Sequence, residues 1–202
     1  MAASQTVAEQ RLPQWLATLA AERPETADSL VSVNSAEAAR SVLGGQAELG
    51  FVEGPSIGAG LGSRVVARDR LVLVVPPGHP WSRRRTPIPA GELARTRLVQ
   101  REASSGTRAA LELALSDFGP IAEPILELST ASAVRSALAA GAGPAVLSSL
   151  AVRQDLIAGR LREIPVDGVD LSRVLRAVWP RGQRPGGAAR DLLAIAARDQ
   201  RR

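Results

Sequence analysis

The spacing of apolar positions switches between a helical and a strand period along this chain, and the same order of switches occurs twice. Over residues 4–22, Leu12, Leu16 and Leu19 recur at helical intervals with Trp15 beside them, which predicts a helix. Thr6 is its expected N-cap, with Glu9 three residues on as the capping-box partner, and Pro13 predicts a kink or an early break. Residues 29–33 alternate as a strand does, and Ser35 is the expected cap of a short helix ending at Gly44 and Gly45. A buried strand at 49–52, a glycine-rich loop at 54–62 and a long strand at 64–76 follow, and the run Pro-Pro-Gly-His-Pro stops the last of these.

The second half replays this order. A short strand at 98–99 leads through a loop at 103–107 into a helix reaching about Phe118, and a strand follows at 124–128. Thr130 is the expected N-cap of a helix running to Ala140. Then come a strand at 144–148, a helix near 150–158, a strand at 173–179 and a final helix at 187–198. Writing residues 31–43 over 126–138 keeps one register: Val31 over Leu126, Val33 over Leu128, Ser35 over Thr130, Arg40-Ser41 over Arg135-Ser136 and Leu43 over Leu138. A duplicated α/β unit accounts for this economically. Helices alternating with strands imply parallel sheets, whose ligands sit at the carboxyl ends of strands.

Composition narrows the function. With 45% apolar and 22% charged residues, the 202-residue chain has ordinary globular composition, enough for one large domain or two small ones. No apolar run nears the roughly 20 residues of a membrane span, and no secretory signal is visible, so no membrane partner is expected. The absence of cysteine excludes disulfides and thiolate metal sites. A single histidine, His79 between Gly78 and Pro80, reads as a turn residue and makes His-clustered metal sites and Ser-His-Asp machinery implausible. No metal, cofactor or catalytic residue is expected. All 25 basic residues are arginines, and the net charge of +5 hints at nucleic acid. They are scattered, however, and aromatics make up only 2% of the chain, so stacking platforms for bases are missing and a solvated surface is the better reading.

Among short motifs, Gly58-Ala59-Gly60-Leu61-Gly62-Ser63 fails as a dinucleotide fingerprint, because its last glycine is replaced and a strand follows. Ser148 and Ser149 have no base to activate them. More informative is Arg101-Glu102-Ala103-Ser104-Ser105-Gly106-Thr107-Arg108, a strand-to-helix turn rich in hydroxyls. Amides at the start of the following helix favour an anion. Ser4-Gln5-Thr6 stands at the matching place of the first unit, and Ser129-Thr130 opens a further helix in the second. Each segment is either an N-cap alone or part of a binding site in an interlobe cleft.

In order and spacing these segments resemble the effector-binding domain of LysR-type transcriptional regulators. The resemblance runs from Ser4 to about Ala197 and rests on several stretches together. They are Ser4-Gln5-Thr6-Val7-Ala8-Glu9 with Leu12-Pro13 and Arg23-Pro24, residues 48–55, residues 71–80, residues 101–108, and Gly141-Ala142-Gly143. Residues 104–108 look most like the branch of carbon-fixation and sulfur-assimilation regulators. Gly50 stands where the family usually has aspartate, and Ser148 or Ser149 where it often has proline. The family's winged helix-turn-helix does not precede this sequence, the first strand before Ala2 looks clipped, and Met1 is expected to be a start introduced for expression.

The resemblance implies an α/β fold of two Rossmann-like lobes joined by two crossover strands, as in type 2 periplasmic binding proteins. Lobe one is expected at 1–77 plus 180–202 and lobe two at 78–179, with crossovers near 75–77 and 178–180. The implied function is effector sensing without catalysis. A small anion (carboxylate, phosphate or sulfate) is expected on Ser4, Thr6, Ser104, Ser105, Gly106, Thr107 and Thr130. DNA binding would come only through the absent N-terminal domain, in a cytoplasmic homodimer that becomes a tetramer in the full-length protein. The expected dimer is side by side, through helix 7–21 and strand 29–33 of one chain and helix 107–118 and strand 124–128 of the other. Trp15 stands either at that seam or in its own lobe's core. A stand-alone or transport-associated solute-binding protein is the alternative.

Overall fold

A computed structural model of the chain describes residues 1–25 and 29–199. In chain order the elements are β1 (Ala2–Ser4), α1 (Gln5–Gln10), α2 (Leu12–Glu22), β2 (Val31–Val33), α3 (Ser35–Leu43), β3 (Gly50–Val52) and β4 (Leu61–Val75). They continue with β5 (Ile88–Pro89), α4 (Ala90–Arg95), β6 (Val99–Arg101), α5 (Gly106–Ala114), β7 (Leu126–Leu128), α6 (Ala131–Ala139), β8 (Ala145–Ser148) and α7 (Ser149–Ile157). Last come β9 (Arg162–Ile164), β10 (Val166–Asp167), β11 (Ser172–Pro180) and α8 (Gly187–Asp199). The chain divides into two compact units, one of Met1–Asp69 with Arg173–Arg202 and one of Arg70–Ser172. The divisions thus fall at 69/70 and 172/173, earlier on both strands than the expected 77/78 and 179/180. The proline run stops β4 at Val75, but Leu71, Val72, Leu73 and Val74 already pair with β8 of the second unit, so the crossover precedes the prolines.

In unit one β1 lies between β2 and β3 and is parallel to both, and β11 pairs antiparallel with β3. β3 is buried along its whole length, whereas β2 at the edge is largely exposed. Gly50 is required here: a Cβ on it would stand 2.8 Å from Val42 Cγ2 and 3.1 Å from Val178 Cγ2, which accounts for glycine where an aspartate was expected. β1 retains three residues ahead of α1, and the Met1 ammonium donates to Ser29 O at 2.9 Å.

The expected single helix over 4–22 is two helices. They are separated at Arg11, and Pro13 sits in the first turn of α2, where a missing N–H costs nothing. Ser4, not Thr6, is the N-cap of α1. Trp15 is 1% exposed, packs on Phe51 at 5.7 Å between ring centroids, and donates from Nε1 to Asp199 Oδ2 of α8 at 3.0 Å. Of the two readings of Trp15, the lobe's own core is the observed one. Asn34, not Ser35, caps α3: its side chain accepts from Glu37 N at 2.9 Å and Glu37 returns the capping-box bond. The Ser35 hydroxyl accepts instead from Glu53 N at 3.1 Å.

In unit two β8 lies between β6, parallel, and β4, antiparallel; β7 extends β6 in parallel, and β9 pairs with the far end of β4. One face of this sheet carries Leu71, Leu73 and Val146 with Leu93, Leu111 and Leu115 of the α4 and α5 side. The other carries Val72, Val74, Val99 and Leu147 with Val134, Leu138 and Val152 of α6 and α7. The small pair β5–β10 and helix α4 had no expectation behind them, since six residues after a proline-rich loop give too little periodicity to read.

Candidate functional site

In unit two Arg101 stands opposite Leu128 in the parallel pair β6–β7, so the segments after both strands leave from the same end of the sheet. The turn is held by Glu102 N donating to Leu128 O at 3.2 Å and Ser105 N donating to Glu102 O at 2.9 Å. Ser105 caps α5, its Oγ accepting from Thr107 N at 3.2 Å. Thr130 caps α6, accepting from Ala133 N at 3.0 Å and sharing a hydrogen bond with Ser132 Oγ at 3.1 Å. Both are therefore true N-caps, each contributing about 1 kcal/mol. A hydroxyl that accepts from a backbone amide still keeps its proton to donate, so capping and ligand binding are compatible. Ser105, Gly106 and Thr107 are buried and Ser104 is exposed. The structure brings 104–107 and Thr130 together at the carboxyl end of the sheet of unit two.

The charged surroundings of this turn were not read from the sequence. The Arg101 side chain is 2% exposed and holds Glu102 with two bonds of 2.9 and 3.0 Å. Arg108 donates to Arg101 O at 3.3 Å, Glu112 Oε1 at 2.7 Å and Glu127 Oε2 at 2.5 Å. Burial alone would disfavour the Arg108 cation, but the bonds to Glu112 and Glu127 outweigh it and raise its pKa. Three carboxylates thus face two guanidiniums around this turn, so its ionised side chains bring no surplus positive charge. Gln100, 5% exposed on β6, also carries a buried Oε1 that accepts no hydrogen bond among the described residues.

In unit one Ser4 and Thr6 flank the end of β1. Ser4 is fully buried, makes no side-chain cap bond, and its Oγ has no partner among the described residues. Thr6 Oγ1 lies 3.5 Å from Arg173 Nη2. Arg173 in turn meets Asp69 Oδ2 at 2.7 Å and Glu53 Oε2 at 3.3 Å, all three side chains being at most 5% exposed. An Arg-Asp pair 104 residues apart in sequence leaves no local spacing to find. Its one sequence signal is charge placed inside strand patterns, at Asp69 in β4 and Arg173 in β11.

Comparison with known proteins gives the family of the chain. The family model described as the LysR substrate binding domain matches residues 1–201. The chain belongs to this family. An uncharacterized HTH-type transcriptional regulator of Mycobacterium tuberculosis is 50% identical over 202 residues, covering 95% of this chain and 65% of the relative, so the LysR domain here spans less than two thirds of that protein. A phosphonates import ATP-binding protein of Anaeromyxobacter dehalogenans is 36% identical over 197 residues, 96% of this chain and 39% of that protein. Two solved structures share the fold. The regulatory domain of Synechocystis CcmR in complex with 2-PG has a TM-score of 0.87 at 21% identity, covering 98% of this chain and 95% of its own. The effector-binding domain of QuiR in complex with shikimate has a TM-score of 0.86 at 11% identity, covering 99% and 95%. The mixed parallel and antiparallel sheets of this LysR domain agree with that two-lobed architecture. Among the described residues no cluster could hold a metal ion and no helix is long and apolar enough to cross a membrane.

Proposed function

We propose that this LysR domain senses a small anionic metabolite for a cytoplasmic transcription regulator, and that it does no chemistry of its own. The observation that carries the reading is the 104–107 turn with Thr130. It sets two capped helix starts and their hydroxyl protons at one strand end of unit two, an arrangement suited to oxygen acceptors. Within unit one by itself, Ser4 and Thr6 are the groups we propose for ligand contact, Ser4 with a buried hydroxyl that a ligand would satisfy. The QuiR neighbour is bound to shikimate, a carboxylate, and the CcmR neighbour to 2-PG, which supports a small-molecule effector here. Such a ligand acts by binding one conformation of the protein better than another. DNA would be met by a part of the protein outside this chain, in keeping with the mycobacterial relative.

The test is a thermal-shift screen of small carboxylates, phosphates and sulfates, shikimate included, followed by calorimetry. A ligand at 100 times its dissociation constant raises stability by about 2.7 kcal/mol. Replacing Thr107 and Thr130 by valine is expected to weaken that ligand by about tenfold or more. Unchanged affinity would place the site elsewhere. The Anaeromyxobacter relative favours a second reading, a transport-associated solute sensor. Specific binding of the full-length protein to DNA supports the regulator, and its absence supports the transport reading.

We further propose a homodimer. Val31 on edge strand β2 and Leu126 on edge strand β7 are 56% and 43% exposed, and Leu113 on α5 is 59% exposed. Val31 and Leu126 also occupy equivalent places in the internal repeat, and a contact between them across a two-fold axis would occur twice.

A further inference from the structure

A cavity of about 290 Å³ opens on unit two beside α6, lined by Ser132, Arg135, Ser136 and Ala139 of that helix, by Asp155 of α7 and by Arg160 and Leu161. We propose that this cavity is a second anion site, taking phosphate or the phosphoryl group of a small phosphomonoester. The four helical positions are spaced i, i+3, i+4 and i+7, so they share one face of α6. Ala139 leaves room on that face where a longer side chain would fill it.

The donor balance specifies the ligand. Arg135 Nη1 lies 3.2 Å from Asp155 Oδ2, and Arg160 Nε lies 2.7 Å from Asp155 Oδ1. Two guanidiniums share this one carboxylate, leaving a surplus positive charge. Arg135 Nη1 also donates to Ala151 O at 3.1 Å, so the side chain is held in place before any ligand arrives. Its Nε is buried and donates to nothing among the described residues, a cost that an incoming oxygen would relieve. The backbone that carries the carboxylate is fixed as well, because the Asp155 carbonyl accepts from Arg160 N at 2.9 Å and Leu161 N at 3.2 Å. Guanidinium forks and serine hydroxyls with one competing acceptor suit a tetrahedral oxyanion and repel a cation.

The test titrates the 202-residue protein with inorganic phosphate and, separately, with glycerol phosphate, at constant ionic strength, by calorimetry. Arg160→Gln removes a 61% exposed side chain and is expected to weaken either probe by on the order of fivefold. Asp155→Asn removes the competing negative charge and is expected to tighten binding by a similar factor. Arg153→Gln makes the same charge change on an exposed part of α7 that does not line the cavity, and is expected to leave affinity unchanged. Tighter binding of glycerol phosphate identifies a phosphomonoester as the ligand, and equal affinity identifies the free ion. The proposal is overturned if neither probe binds, if Arg153→Gln and Arg160→Gln weaken binding equally, or if Asp155→Asn fails to tighten it. It is also overturned if Thr107→Val abolishes binding while Arg160→Gln does not, since the anion then sits at the effector turn.

Discussion

Arg173 faces two carboxylates in unit one that are buried more deeply than it is, Glu53 with a side chain 2% exposed and Asp69 with one fully buried. Methionine at 173 keeps most of the length and the apolar stem but removes the charge. Asp69 then loses bonds of 2.8 Å to Nε and 2.7 Å to Nη2, and Glu53 loses its ion pair at 3.3 Å. Removing one partner of a buried ion pair costs about 3–5 kcal/mol, because the remaining charge stays out of water. Against a typical stability of about 5–15 kcal/mol, that is a large share. At a urea slope of about 2 kcal/mol per molar, the midpoint should fall by about 2 M. Tryptophan fluorescence reads this unit alone when Trp81 of unit two is replaced by phenylalanine, leaving Trp15 and Trp179. Adding Asp69→Asn to Arg173→Met should recover part of the loss, since one of the two stranded charges is then gone. An Arg173→Met midpoint equal to the parent's would refute the argument. So would a double variant no more stable than the single one, since the damage would then be lost packing.

Trp15→Arg is expected to unfold unit one, read as loss of near-ultraviolet circular dichroism, because the ring is 1% exposed and its Nε1 holds Asp199. Val31→Arg with Leu126→Arg is expected to give a folded monomer by light scattering, and a dimer that persists would dismiss the edge-strand interface. His79 predicts a pH effect: burial lowers its pKa below 6.5, and its Nδ1 must stay unprotonated to accept from Trp81 N at 3.2 Å. Between the lowered value and 6.5 the unfolded chain binds more protons than the folded one, so stability falls as pH drops below about 6.5. Chemical denaturation at pH 5 and 7 checks this, and His79→Gln should shrink the difference.

Much of the fold was legible because its signals are local. The repeat between 31–43 and 126–138 reappears as β2–α3 and β7–α6, with the same burial pattern on both edge strands. Where local chemistry competes, the sequence misleads. Asn34 and Ser35 are both good caps, and Asn34 wins because Glu37 stands three residues on to close the box, freeing Ser35 to hold Glu53 N. Thr130 at the place of Ser35 does cap, and three residues after Ser129 stands Ser132 rather than a glutamate. The helices of the two repeats therefore start one residue apart, an offset that apolar spacing does not reveal.

The same reasoning explains which structural features around the candidate residues were legible. Hydroxyls at helix starts announce themselves through spacing, which is how Ser105 and Thr130 were read. Long-range pairs have no spacing. Arg173 reaches Thr6 across 167 residues and Asp69 across 104, and only the sheet registers bring them together. Those registers also separate the two halves. With Ala2 opposite Val31 and Val99 opposite Leu126, Ala3 of β1 corresponds to Gln100 of β6, and Ser4 to Arg101. After Ser4 the chain enters α1 at once, whereas after Arg101 four residues intervene before α5. That inserted turn carries Ser104 and Ser105, and the first repeat has no counterpart to it. The second repeat thus offers helix-start hydroxyls on a loop, and the first offers Ser4 and Thr6 beside a buried ion cluster. Duplication accounts for the shared scaffold, and the candidate hydroxyls lie where the repeats differ.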